Sequence, residues 1–329
     1  MRTYIIRRML LIIPTFLLVT IIVFLLVRFI PGDVLDIMVS EMSGEAGEQM
    51  ADVEGLRHAL GLDVPVHVQY GRWLGIAPQE SGEFSGLIQG DLGRSLWTNE
   101  PVIDILRKRY PVSIELGLLS LIISELVALP IGVFMANKQD SLPDYTGRIF
   151  AITMMSLPSF WIATMIIVYP VIWWGKMINV EYVPLTVNIW GNLRQFLIPS
   201  FITGVAGSAM TMRMTRTMML EVLREDYIKV AWAKGLKERT IILRHAVRNA
   251  FIPVITAIGA RIPALLGGQI IVEQIFALPG VGRVFITALN QRDYPIISAS
   301  NALIAIAIMV TNVIVDICYA YMDPRIRYD

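Results

Sequence analysis

Three ionisable side chains stand inside long apolar stretches of the sequence: Glu125, Arg261 and Asp316. A charge among hydrocarbon is costly, so such a group pairs, faces a cavity or titrates. Two chemistries follow. If the carboxylates stay ionised and Arg261 meets one of them, the set is a polar contact between helices. If they take up and release protons, they form the relay that a proton-driven carrier needs. The first reading is favoured, with Arg261 the candidate partner. Hydrolytic chemistry finds no support: His58, His67 and His245 do not form H-E-x-x-H, and no G-x-S-x-G occurs. No G-x-x-x-x-G-K-[ST] loop is present to cradle ATP. We therefore assign no catalytic residue, no metal ligand and no cofactor to this chain. The single cysteine, Cys318, forms no intrachain disulfide and reads as a small packing residue.

The elements that must position these groups are membrane helices. Of the 329 residues, 55% are hydrophobic and only 17% charged, with a mean hydropathy of +0.60. Soluble chains carry about 25% charged residues. A bilayer core takes about 20 apolar residues in helix, and six stretches qualify: 9–30, 113–136, 149–174, 195–212, 251–272 and 296–322. The fourth is interrupted by small and polar residues, the fifth by Arg261 and Pro263. The basic start, 1–8, followed by 9–30, is too long for a signal segment and reads as an uncleaved anchor. With both ends cytoplasmic, the inside carries sixteen Lys and Arg, nine of them between Arg213 and Arg248, against four in the short outer loops. Basic residues favour the cytoplasm, so the expected topology is N-in and C-in, with a tail at 323–329.

The segment 31–112 then lies outside. Its stretch 31–110 holds 13 Asp and Glu against six Lys and Arg. Met50, Val53, Leu56 and Leu60 recur at helical spacing, and 102–109 offers a second short helix with Ile103 and Leu106 on one face. Gly, Ser, Pro and Glu make 75–86 an exposed loop.

Between spans four and five the loop 213–249 is longer than a simple bundle needs. Met218, Leu220, Val222, Leu223, Tyr227, Val230 and Ala231 give it helical apolar spacing. Lys234-Gly235-Leu236 then interrupts the pattern, because Gly235 can take the left-handed conformation that ends a helix. A second helix is expected to start near Lys237 or Glu238 and to run through His245 into span five. One reading is a basic elbow on anionic lipid. The other is a docking element, since Ala231, Trp232, Ala233 and Leu236 presented to water need a cover.

This loop resembles the EAA coupling loop of binding-protein-dependent ABC importer permeases, in the form of the dipeptide, oligopeptide and nickel permease family. The matching residues are Asp226-Tyr227-Ile228-Lys229, Ala231, Ala233-Lys234-Gly235-Leu236, then Arg244-His245-Ala246-Val247-Arg248-Asn249-Ala250 and Pro253. Lys229 and Val230 stand where the general pattern has Glu and Ala, as the peptide subclass does. The likeness continues through Ile6-Arg7-Arg8, Gly90-Asp91-Leu92-Gly93-Arg94-Ser95, Leu278-Pro279-Gly280-Val281-Gly282-Arg283 and Asp323-Pro324-Arg325. Loop 75–86 looks like an insertion.

The resemblance implies an all-α membrane protein of six transmembrane helices with the type I ABC importer permease fold, in the cell membrane. Its implied partners are a second homologous permease, two ABC ATPase subunits that use ATP and magnesium, an external substrate-binding protein and the lipid bilayer, with no nucleic acid. Asp226, Tyr227, Lys229, Ala231, Ala233, Lys234, Gly235, Leu236, Arg244, His245 and Arg248 would form the ATPase-coupling loop, with Asp226, Arg244 and Arg248 candidates for ion pairs that hold it. Peptides are the expected cargo; nickel complexes, glutathione and oligosaccharides are carried by similar permeases. A stand-alone secondary carrier would leave the projecting loop without a use.

Overall fold

The computed structural model describes residues 2–28, 63–175, 182–266 and 269–322, and side chains within 10–28, 63–175, 182–262 and 269–315. Eleven helices carry the described chain: α1 Arg2–Arg28, α2 Val66–Leu74, α3 Val102–Asn137, α4 Leu142–Ser156, α5 Ser159–Trp174, α6 Ile189–Leu223, α7 Asp226–Ala233, α8 Val247–Leu266, α9 Ile270–Ile275, α10 Val281–Gln291 and α11 Tyr294–Met322. Short turns at Glu238–Thr240 and Ile241–Ala246 lead into α8. Among the described residues the one β-type pairing is an isolated bridge, Arg94 to Pro101. The described residues are otherwise helical or loop, and a helix is one of the two forms that satisfy every backbone group inside a bilayer.

Among the described residues four helical stretches are long and apolar enough to cross a bilayer: Leu10–Arg28, Val102–Asn137, Glu238–Ile262 and Tyr294–Val315. The first, second and fourth coincide with expected spans one, two and six; the third overlaps expected span five, 251–272, but starts before it, and its helix α8 ends at Leu266, short of the expected end. The third expected span, 149–174, is not one helix. Its residues divide between α4 and α5, which bend by 87°. Pro158 causes the break. It offers no N–H and forces the residue before it out of the helical region, and Leu157 is extended at φ −85°, ψ 122°. The fourth, 195–212, lies inside the longer α6, whose polar residues (Asn192, Arg194, Gln195, Ser200, Ser208, Thr211) keep it off the set of strongly apolar spans. Because α6 continues to Leu223, the expected loop start at 213 falls within the helix.

Two compact units emerge from the contacts. One comprises 2–111 and 280–309. Its core gathers Val27, Leu74, Leu92, Val102, Leu106, Val281 and Ile297. The expected short helix at 102–109 is the first part of α3. Its buried face is Val102 and Leu106, whereas Ile103 is exposed. Spacings of three and of four both share a helix face, so the packing partners decide, and Val102 and Leu106 are the pair that joins the core with Val27, Leu74 and Val281. The helix expected around Met50–Leu60 lies outside the described residues. Loop 75–86 is more tightly tied than its composition suggests. The Gln79 side chain donates to the carbonyls of Arg72 (3.1 Å) and Ser85 (2.6 Å), and Arg72 pairs with Glu80 at 3.2 Å. In the same unit the buried Ser95 hydroxyl donates to Asp293 at 2.5 Å, and the Trp97 indole donates to the Gln291 carbonyl at 2.9 Å. Burial pushes the Asp293 carboxyl up, opposed by hydrogen bonds from Ser95 and from backbone N–H groups.

The other unit comprises 112–279 and 310–329. Within it α6 packs against α4 and α8. Two glycines of α6 sit where its neighbours come close. A Cβ at Gly204 would come within 2.7 Å of the Ser120 carbonyl oxygen on α3, and one at Gly207 within 2.2 Å of the Arg261 guanidinium on α8. Gly267 and Gly268 lie outside the described residues.

Candidate functional site

An elbow follows α6. The backbone turns at Arg224 and Glu225, runs through the eight-residue α7, and reverses at Gly235. Gly235 has φ +72°, the left-handed region that costs a side-chain-bearing residue energy. Its N–H bonds the Trp232 carbonyl at 2.9 Å, and the Leu236 N–H bonds the Ala231 carbonyl at 3.4 Å. These two bonds satisfy carbonyls that the helix end would leave open. The helix break expected at Gly235 and the restart at Glu238 are both present.

The apolar face of α7 is divided. Ile228 and Ala231, three residues apart, point inward and join Met219, Ile241, Ile242, Ala246 and Ala250 in one core cluster. Ala231 is only 7% exposed, which corrects the expectation that it faces water. Outward stand Tyr227 (42% exposed), Val230 (52%), Trp232 (49%) and Leu236. Ala233, Lys234 and Gly235 are exposed as well. The buried pair fixes the helix to its base, and that anchoring leaves four large side chains, Tyr227, Val230, Trp232 and Leu236, uncovered by the rest of the chain.

Charge plays a smaller part in holding the elbow than expected. Asp226 accepts from Lys229 at 2.7 Å within α7 itself, and both are exposed. The Lys229 hydrogen bond holds the Asp226 carboxyl below its ordinary range, and Asp226 raises Lys229 in return. Arg244 and Arg248 are exposed, and among the described residues neither forms an ion pair. His245 is half-buried. The tie across the elbow is instead neutral: the Asn249 amide donates to the Tyr227 hydroxyl at 2.7 Å. At its base the Asn137 amide donates to Glu238 at 3.1 Å. Residues Ile241–Ala246 form a π-helical stretch, a form that occurs mostly as short bulges at functional positions. The sequence carries no glycine or proline there to signal it.

Beneath the elbow lies a fork that sequence reasoning missed. Arg216, on α6 ten residues before α7, donates from Nε and Nη2 to the two oxygens of Asp144 at 2.6 and 2.8 Å. Arg148 adds a third bond at 2.5 Å, and the Asp140 backbone N–H a fourth at 3.0 Å. The Asp144 side chain is 0% exposed. Two parallel N–H bonds to one carboxylate fix angle as well as distance, so α4 is pinned to the stem that carries α7.

Farther along α3, α6 and α8 lies the expected polar contact. Arg261 Nη1 donates to Thr211 at 2.9 Å, to Glu125 at 3.2 Å and to Ser124 at 3.3 Å. Gly207 makes room for the guanidinium. The side chain of Asp316 lies outside the described residues. Two further contacts on α3 were not anticipated: Ser113 donates to Glu273 at 2.7 Å, and Gln269 donates to Ser120 at 3.2 Å. Both Ser113 and Ser120 look unremarkable in sequence, because a serine carries no signal of its partner.

Comparison with known proteins gives this geometry a context. The family model described as "Binding-protein-dependent transport system inner membrane component" matches residues 128–328, and that of the N-terminal membrane component of such systems matches 1–117. The chain is 36% identical over 331 residues to the oligopeptide transport system permease protein AppB of Bacillus subtilis (strain 168), covering 100% of both chains. It is 37% identical over 351 residues to the dipeptide transport system permease protein DppB of Escherichia coli (strain K12), covering 100% of this chain and 99% of that one. The crystal structure of an amino acid ABC transporter with histidines aligns with a TM-score of 0.51 at 12% identity, over 67% of this chain and 95% of that chain. That last likeness is one of fold.

Proposed function

The chain belongs to the family of binding-protein-dependent transport system inner membrane components, and from that premise we propose that it is a permease subunit of an ATP-driven importer of di- or oligopeptides. The observation that carries the mechanism is the divided face of α7. Ile228 and Ala231 root the helix in the unit's core, while Tyr227, Val230, Trp232 and Leu236 stay uncovered. An apolar patch held rigidly in water is the mark of a docking surface. A groove on a separate ATPase subunit would receive it, with Asp226, Lys229, Ala233, Lys234 and Gly235 shaping the contact and Arg244, His245 and Arg248 on the return helix beside it.

ATP and magnesium act in that partner. When two ATPase subunits close, they draw the elbows of this chain and of a second, homologous permease together. The pull passes from α7 through the Met219, Ile241 and Ile242 cluster into α6 and α8, and through the Asp144 fork into α4. Helices then rock between inward-open and outward-open states. The chain itself supplies a pathway and a lever, with no bond made or broken on it. The reading places six spans in the cell membrane with both ends in the cytoplasm, the bent α4–α5 pair as the third span and α6 as the fourth. Residues 31–112 then lie outside, where an external binding protein delivers cargo. The Glu125–Arg261 contact serves as a structural tie between spans.

Reconstituted with its partner subunits, the chain should take up a dipeptide in an ATP-dependent manner. Gly235→Pro forces φ to about −65° and removes the N–H that bonds Trp232. Uptake should be abolished, with membrane insertion intact. Normal uptake by that variant, or dipeptide uptake independent of ATP, overturns the reading.

A further inference from the structure

A cavity of about 460 Å³ opens in the unit formed by 2–111 and 280–309. It lies in the size range of small-ligand pockets. Its walls come from the end of α1, from α2, from loop 75–86, from the turn at 91–96 and from the start of α11. The coupling mechanism uses none of these residues.

The charge arrangement in the cavity is unbalanced at one point. The Arg28 guanidinium lies 3.9 Å from the centroid of the Phe24 ring and donates to the Gln69 amide oxygen. The Gln69 amide nitrogen donates to the Val64 carbonyl at 2.7 Å, which fixes the oxygen toward Arg28. Both neighbours are neutral. Among the described residues no carboxylate stands within ion-pair distance of Arg28. A half-buried cation whose partners among the described residues are neutral is incompletely compensated by them and favours an incoming anion. Arg72 also lines the space. One of its terminal nitrogens is engaged by Glu80, and its buried Nε has no hydrogen-bond partner among the described residues. Trp73 and Leu96 supply apolar wall, and Glu80 and Asp91 supply negative charge.

We propose that this cavity binds a short peptide as a zwitterion, with Arg28 taking the free carboxylate, Glu80 and Asp91 facing the ammonium, and Trp73 and Leu96 packing its side chains. The choice of a peptide rests on the function proposed above. Cationic Arg28 and the carboxylates of Glu80 and Asp91 on one cavity wall match the two opposite charges of a small zwitterion, which a lipid tail does not carry.

The test uses the full chain with its partner subunits, purified without any binding protein. Calorimetry measures alanyl-phenylalanine, its C-terminal amide and a short-chain phosphatidylethanolamine. The free acid should bind roughly tenfold or more tightly than the amide, the scale of a charge-assisted bond. Arg28→Gln should bring that ratio to about one, and Arg28→Lys should restore part of it. Ser81→Trp, on the exposed rim, should weaken the dipeptide without touching the α1 packing. An acid-to-amide ratio unchanged in Arg28→Gln overturns the assignment. So does the absence of dipeptide binding, or binding of the phospholipid through Arg28 in its place. If ATP-driven dipeptide uptake persists in any of these cases, the cavity assignment falls and the importer reading stands. If uptake is absent in the unmodified complex, the importer reading falls.

Discussion

Two ion pairs in the same unit have nearly equal lengths and opposite meanings. Lys229 meets Asp226 at 2.7 Å on the surface of α7, and Arg216 meets Asp144 at 2.6 Å beneath it. The first pair has 67% and 93% of its side chains in solvent; the second has 15% and 0%. Water screens the first almost completely, and such pairs contribute little. The second is out of water, is bidentate and joins residues 72 positions apart. Removing one partner there strands the other's charge. Distance alone therefore says nothing of which pair carries load. The surface pair adjusts one helix turn, while the buried fork ties α4 to the stem of the elbow.

The largest expected effect follows from that contrast. Asp144→Ala leaves the Arg216 guanidinium buried and unpaired, and should cost about 3 kcal/mol. Thermal unfolding in detergent should fall by several degrees, and a shift within error would remove the fork from the load path. Next comes the division of α7. Ala231→Asp places a charge in a packed cluster and should destabilise by about 2 kcal/mol or more. Trp232→Ala, one residue on, should leave the melting temperature unchanged while lowering the uptake rate roughly tenfold, the scale of a truncated docking anchor. Equal melting shifts for the two would erase the division. Smaller still is Gly235→Ala. Nothing lies within 4 Å of the added Cβ, so only the left-handed backbone resists it, at about 1 kcal/mol.

The smallest effect belongs to Lys229→Ala, which should not shift the melting temperature measurably. Its sign with pH is nevertheless defined. Asp226 titrates below its ordinary value because Lys229 bonds its charged form. The pair's contribution is therefore present above the unfolded carboxylate pKa and lost as pH falls through the lowered folded value. A pH titration comparing Lys229→Ala with the parent should show the two curves converging in acid. Convergence at alkaline pH, below the Lys229 transition, would contradict that sign.

How far these features could be read from residues alone depends on their range. Gly235 and the restart at Glu238 are local, and a glycine between two helical patterns signals its own turn. Spans one, two, five and six are also local, since twenty apolar residues declare themselves. The direction of Ala231 was not legible. Across eight residues a helical pattern offers two apolar stripes, Ile228 with Ala231 and Tyr227 with Val230, and only the neighbouring Met219, Ile241 and Ile242 decide which one is buried. Pro158 stands inside the third apolar stretch, but a proline can bend a span or end it, and the 87° break between α4 and α5 shows only in the structure. The Asp144–Arg216 fork was invisible, because neither residue stands out locally and their meeting depends on how α4 packs on α6. The Glu125–Arg261 contact was legible for the opposite reason: charges in apolar sequence are rare enough to seek each other.

The central claim is that the exposed face of α7 docks on a cytoplasmic motor. The most direct measurement places a single cysteine at Trp232 in a Cys318→Ser background and treats the assembled complex with a short bifunctional maleimide, against a cysteine introduced in each partner. A crosslink from position 232 to an ATPase subunit, with a yield that changes on addition of ATP, is the predicted result. Labelling of position 232 in intact cells by a membrane-impermeant maleimide, with no crosslink to any ATPase subunit, would contradict it.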